Sequence, residues 1–238
     1  MPHLLNNAEL TGRQEGHLIR LDCGHRLQAR VAEAFASLQA DARAAGFELA
    51  IASSFRSFER QCAIFNGKAC GERPVHDDAG APVNLACLTP REQVYAILRY
   101  SALPGTSRHH WGTDLDVFDA AAVVDGYQVQ LTPQEVAPGG LFDPLHSWLD
   151  ERMASHESRG FYRPYAADRG GVAPERWHLS YAPLALDCAD GLVESVVREA
   201  WDEALGENGL RLREVIEDDL PALLARFVAV GEDWCPRP

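Results

Sequence analysis

At 238 residues, with 46% hydrophobic and 24% charged residues, the chain can bury a sizeable core without disulfide staples, and its composition excludes long disorder. A formal charge of −13 argues against nucleic acid or an anionic membrane surface as the main partner, because both reward a basic face. The excess is uneven: residues 187–238 carry 13 acids against 5 arginines, a net of −8.

The first twenty residues, MPHLLNNAELTGRQEGHLIR, lack the basic start and the apolar run of about 7–15 residues that a secretory signal needs. No run approaches the roughly 18 apolar residues of a membrane span, so a cytoplasmic chain with an N-terminal arm over 1–24 is expected. The cysteines (Cys23, Cys62, Cys70, Cys87, Cys188, Cys235) form no C-x-x-C pair. They read as free thiols, with a Cys62 to Cys70 bridge as the alternative.

From Arg26 to Ala45, Leu27, Val31, Ala34, Phe35, Leu38 and Ala42 recur at helical spacing, and Gly46 stands where a C-terminal cap belongs. "FELAIASSF" then alternates as a strand, and a second short helix is expected over 57–66. Residues 67–88, rich in Gly, Pro and Asp, have no period and read as a long loop. Thr89, Pro90 and Glu92 make a capping box for the helix that follows. "TDLDVFD" and "YQVQL" read as strands around the turn at Asp125-Gly126, "DPLHSWLDERMAS" as an amphipathic helix, and "RWHLSYA" as another strand. Two helices are expected in the tail, over about 190–205 and 213–229. In the second, Val215, Leu220, Leu223, Leu224 and Phe227 read as a packing face, which Trp201 and Trp234 could help dock.

A catalytic zinc takes three ligands from His, Asp, Glu or Cys and keeps a position for water. Two segments offer them: His109, His110, Asp114 and Asp116 beside Gly112, and Glu175 with His178 in "PERWHLS". Alternation along a strand puts Asp114, Asp116 and Phe118 on one face, with Leu115 and Val117 on the other. Pro174 biases its predecessor toward an extended backbone, and His178 and Ser180 would share a face. Glu175 would face away from His178 in an ideal strand, so both reach one metal only if the backbone bends between them.

Three elements carry a family resemblance: Ser107-Arg-His109-His-Trp-Gly112-Thr-Asp-Leu-Asp116, Glu175-Arg-Trp177-His178, and "SSFRSFERQ" with Ser53, Phe55, Arg56, Ser57 and Gln61. In this order they resemble the zinc D-alanyl-D-alanine carboxypeptidase family called VanY, within the wider lysostaphin, D-Ala-D-Ala peptidase and hedgehog group, over about 25–183. The resemblance implies that His109, Asp116 and His178 hold one zinc ion per chain. Glu175 would be the catalytic acid/base that takes a proton from the attacking water and passes it to the leaving amine. Arg56 would bind a substrate carboxylate, Gln61 and Ser107 would contact substrate, and Trp177 would shape the site wall. His110 is left as either a positioning neighbour or a packing residue. Asp114 departs from the alanine usual at its position. On the strand reading it could bond to a ligand, bind a substrate ammonium or occupy a coordination position.

The expected architecture is an α+β fold, a small antiparallel zinc-bearing sheet flanked by helices. The catalytic domain would span 25–186 and an acidic helical extension 187–238. The implied function is removal of a terminal D-alanine from peptidoglycan-derived stem peptides. The alternatives are an L-alanyl-D-glutamate endopeptidase or D,D-dipeptidase of the same family, and a non-catalytic zinc-dependent peptide-binding protein. An intact Glu175 speaks against the last.

Overall fold

The computed structural model describes residues 5–205 and 209–230; Trp234 and Cys235, assigned above, lie outside them. In chain order the elements are α1 (Asn7–Leu10), the hairpin β1 (Ile19–Arg20) and β2 (Arg26–Leu27), α2 (Ala29–Ala44), β3 (Leu49–Ser53), α3 (Phe58–Ala69) and α4 (Pro90–Leu98). There follow β4 (Asp114–Asp119), α5 (Pro133–Val136), α6 (Asp143–Ala154), β5 (Phe161–Tyr162), β6 (His178–Tyr181), α7 (Ala182–Gly191), α8 (Glu194–Leu205) and α9 (Arg213–Phe227). The main sheet has the order β3-β4-β6-β5 and is antiparallel throughout. This is the mixed helix and sheet architecture with a helical C-terminal region expected from the sequence.

Burial decides which face of the sheet is which. Leu115, Val117 and Leu179 are fully buried in a cluster with Phe35 and Leu38 of α2 and Leu145 and Leu149 of α6. With the apolar side chains of β4 and β6 committed to that layer, the period of two turns Asp114, Asp116, His178 and Ser180 to the opposite face. A second cluster joins Leu10, Phe58, Ile97 and Trp111 to Trp201, Leu220 and Phe227. The C-terminal helices therefore share a core with the residues before 187, and α7 runs through position 187 without a break. Trp201 is fully buried, and its Nε1–H donates to the Pro104 carbonyl at 2.8 Å. Thr89 caps α4 with both bonds of the capping box in place. Among the described residues no helix is long and apolar enough to cross a membrane, and the described cysteines are unpaired.

Arg26–Leu27, read as the start of the first long helix, is β2 instead, and two further elements differ from the sequence reading. Tyr127–Leu131 is a loop, not a strand. Both sides of β4 are already taken by β3 and β6, so this segment cannot fold back to pair with the strand that precedes it. Glu135 holds it instead, accepting from the Tyr127 hydroxyl at 2.6 Å and from the N–H groups of Gln130 and Thr132 at 2.9 and 3.0 Å. The other difference is α7, which continues directly from β6 and has no side-chain cap at Tyr181.

His146 is a core histidine. It is fully buried in α6, with Nδ1 facing the Arg163 guanidinium at 3.2 Å and Nε2 unpartnered. Burial, together with the charges of Arg163 and Arg176, pushes its pKa down to about 3. An unfolded chain binds this proton near pH 6.5 and the folded one does not, so the neutral ring's contribution is intact above about 6.5 and is lost as the pH falls toward 3. Between pH 8 and pH 5 this one residue is expected to remove about 2 kcal/mol of stability. Denaturant titrations of the metal-free protein at both pH values should show a drop smaller by that amount in His146→Phe. An equal drop in the two proteins would refute the assignment.

Candidate functional site

The sheet register builds the candidate metal site. Asp116 lies directly opposite His178 in the β4/β6 ladder, so two side chains 62 positions apart in sequence become cross-strand neighbours. His109 arrives from a 3₁₀ turn, Arg108–Trp111, that ends at Gly112 in the left-handed conformation, φ 67°. A Cβ at Gly112 would stand 2.2 Å from Leu18 Cδ2 and 3.3 Å from the Gln28 nitrogen, so only glycine fits this turn. One ligand atom each from His109, Asp116 and His178 lies within 4.8 Å of the others, and all three residues are buried.

Asp114 settles how His178 points. Its carboxylate is wholly buried and accepts from His178 Nε2 at 2.9 Å, Arg108 Nε at 2.8 Å, Ser180 Oγ at 3.0 Å and Thr113 Oγ1 at 2.5 Å. Of the three roles open for it in the sequence, the structure gives it the bond to a ligand. With Nε2 committed to Asp114, His178 Nδ1 faces Asp116 Oδ1 at 3.2 Å. Asp116 Oδ1 and His109 Nδ1 have no hydrogen-bond partner.

A ring nitrogen and a carboxylate oxygen facing each other at that distance call for a proton or a cation, and the His, His, Asp donor set suits zinc. Burial opposes charging His178, yet its hydrogen bond to Asp114 and the facing Asp116 carboxylate outweigh that and push it up to about 9. Burial drives His109 down to about 4, keeping it in the neutral form that ligates. For Asp116 burial opposes ionisation, but His109, His178 and Arg56 hold it below the ordinary carboxylate value.

Glu175 reaches the site because the chain turns rather than extends. The His178 N–H donates to the Glu175 carbonyl at 3.0 Å, closing a tight turn ahead of β6. This is the bend the sequence reading required, and it brings Glu175 Oε2 to 3.6 Å from His178 Nδ1. Arg176 pins the turn to α6 through Asp143 at 2.6 Å and Asp150 at 2.7 Å. Burial pushes the Glu175 carboxyl up to about 7; Asp116 adds to this, while His178, Arg56 and Lys68 oppose it.

Arg56 sits beside these groups. Its backbone N–H donates to the His109 carbonyl at 3.2 Å, and its Nη1 donates to Gln61 Oε1 at 2.9 Å. Gln61 is fully buried and spends its amide N–H on the Ala102 carbonyl at 2.7 Å. Both ends of its amide are thus engaged, and Gln61 lies behind Arg56 instead of lining the cavity. His110 Nδ1 is 2.6 Å from the Arg56 carbonyl, and its Nε2 accepts from the Gly105 N–H at 3.2 Å. It holds the backbone of Arg56. Burial keeps it neutral, at about 3.

Arg56, Ser107, His109, Asp116, Glu175, Trp177 and His178 line one cavity of about 210 Å³, small against the roughly 300–1,000 Å³ of drug-sized ligand pockets. A second cavity of about 540 Å³ shares Tyr100 and Leu131 with it and is lined by the loop through His76, Asp77 and Asp78. Sequence reasoning missed Arg108 and Lys68. Arg108 donates to Tyr162 and Ser180 as well as to Asp114, partners 54 and 72 positions away that no local pattern announces. Lys68 follows Gln61 by two helical turns on α3. Burial lowers its pKa, and it feels the charges of Glu175 and Arg56.

Two proteins of Haemophilus influenzae, each described only as an uncharacterized protein, are similar to parts of the chain. One is 48% identical over 98 residues, covering 40% of this chain and 67% of that protein. The other is 34% identical over 108 residues, covering 44% and 78%. A crystal structure of a vancomycin-resistance D,D-pentapeptidase VanY variant with Zn(II) is 24% identical, covers 84% of this chain and 88% of that one, and has a TM-score of 0.47. The LdcB LD-carboxypeptidase is 20% identical, covers 87% and 80%, and has a TM-score of 0.48. A family model for VanY, D-alanyl-D-alanine carboxypeptidase, matches residues 24–184. That match takes in β3, β4, β6 and the His109, Asp116, His178 cluster, and the chain belongs to the VanY peptidase family, which is zinc-dependent.

Proposed function

We propose that this protein is a zinc carboxypeptidase that removes the terminal D-alanine from peptidoglycan stem peptides, with one zinc held by His109, Asp116 and His178. The observation that carries the exopeptidase reading is Arg56. Its guanidinium lines the same cavity as Glu175 and the ligand cluster, has no carboxylate within ion-pair distance among the described residues, and offers donors beyond the one given to Gln61. A cation so placed fits the free carboxylate at the end of a peptide, which it can hold in bidentate fashion.

Zinc at the cluster would polarise the scissile carbonyl and acidify a water. Glu175, beside His178, receives the proton from that water and returns it to the leaving amine. Asp114 keeps His178 in one orientation, and Gln61 and His110 keep Arg56 in place. Ser107 and Trp177 bound the space in which the peptide end lies.

Product analysis by mass spectrometry tests this reading. Zinc-loaded protein is expected to release one D-alanine from stem peptides ending in D-Ala-D-Ala. Amidation of the terminal carboxylate should lower kcat/KM by about 10–100-fold, the worth of a charge-assisted bond at Arg56. Cleavage only at an internal L-Ala-D-Glu bond, or indifference to amidation, would overturn the carboxypeptidase reading in favour of an endopeptidase.

A further inference from the structure

The apolar lining of the site cavity comes from two separate clusters. Leu131 and Trp177 belong with Val136 and Phe142. Val172 and Phe227 belong with the core that α8 and α9 build against α3 and α4. Phe227 is the last residue of α9, well past residue 184, where the family match ends.

Its position is fixed. The ring meets Tyr95 edge-on at 5.5 Å, and the neighbouring Arg226 lies over Tyr95 at 4.8 Å and donates to the Gly170 carbonyl. The end of α9 presses so closely on the segment leading to Glu175 that a Cβ at Gly171 would stand 2.0 Å from the Arg226 carbonyl oxygen. From the other side, Arg99 donates to the Gly171 carbonyl and accepts from the Ala173 N–H, each at 2.9 Å. Val172 is clamped between these contacts, three residues before Glu175.

Every charged group lining the cavity already has a task. Arg108 is bonded to Asp114, His109, Asp116 and His178 form the ligand cluster, and Arg56 and Glu175 serve the substrate carboxylate and the proton. None remains to partner a charge on the side chain next to the cut bond. We infer that the C-terminal extension is part of the substrate site, and that Phe227, together with Val172, selects a small uncharged side chain on the residue whose carbonyl is attacked. This rests on the peptidase reading above and adds the preference at that residue.

The test compares wild type, Phe227→Ala, Phe227→Leu and Leu220→Ala on peptides ending in X-D-Ala, with X as D-Ala, D-Leu or D-Lys. Leu220 is buried in α9 and does not line the cavity, so its variant reports on loosened packing alone. Phe227→Ala is expected to raise KM for the D-Ala peptide by about tenfold with kcat within about twofold, and to narrow the preference for D-Ala over D-Leu. Phe227→Leu should stay within about threefold of wild type, and Leu220→Ala should lower Tm without moving KM. An unchanged preference in Phe227→Ala, or the same KM shift in Leu220→Ala, overturns the inference. Calorimetric binding of the D-Ala-D-Ala peptide to zinc-loaded Glu175→Gln, with and without Phe227→Ala, separates the two readings. If wild type cleaves nothing but Phe227→Ala weakens binding, the hydrolytic reading falls and the wall stands; equal binding removes the wall.

Discussion

Glu175→Gln is expected to lower kcat by about 10²–10⁴-fold while leaving zinc affinity close to wild type, the loss usual for a general acid/base. The carboxyl is half-buried near the ligand cluster, and loss of solvent lifts its pKa to about 7. At that value it can both take and return a proton near neutral pH. Glutamine keeps the shape and some polar contact but accepts no proton. The sign of the pH effect follows: the ionised form is the base, so kcat/KM should fall on the acid side. A divalent cation at the cluster favours the carboxylate, which places that fall below pH 7 in the zinc-loaded protein. The acid limb should vanish from the residual rate of the variant. Stopped assays across pH 5–9 with metal content measured in parallel check both points, and activity within about tenfold of wild type would remove Glu175 from the proton path.

Asp114→Ala should damage the protein in two measurable ways. Removing one partner of a buried ion pair strands the other, and Arg108 is only 3% exposed, so a loss of about 3–5 kcal/mol is expected in denaturant titrations of the metal-free chain. The variant also frees His178 Nε2, and loss of such a partner typically lowers metal affinity about 10–100-fold. Competition with a chelator reads this directly, without reference to turnover. Asp114→Asn keeps an acceptor for His178 and should lie between alanine and wild type. Stability within about 1 kcal/mol of wild type and unaltered zinc affinity in Asp114→Ala would deny the carboxylate both roles.

Periodicity made the scaffold legible. The apolar repeat in α2, the capping box at Thr89 and the alternation of Leu115 and Val117 with Asp114 and Asp116 each have one good structural solution, and the chain adopts it. Choosing His109 over His110 needed the family spacing, because adjacent histidines look alike until the 3₁₀ turn separates their directions. What escaped the sequence lies in long-range pairing. The Tyr127–Leu131 segment has strand-like residues, but the β4 it follows is already paired on both sides; α7 starts without a capping signal, and Arg108 finds its partners only after β4, β5 and β6 are assembled. Gln61 reads as a substrate contact by motif, yet tertiary packing places it one layer behind Arg56.

The facing of Asp116 and His178 across β4 and β6 also bears on how the chain reaches its native state. Side chains alternate with a period of two, so a one-residue slip of β6 against β4 would turn Leu179 into the cavity and His178 into the apolar layer. A slipped sheet cannot present three ligands to one ion. Zinc bound by this cluster would therefore discriminate between pairings: it would stabilise the correct register alone, by an amount that grows with the logarithm of free metal. A metal held there would thus act as a proofreader of strand alignment as well as a participant in the proposed chemistry.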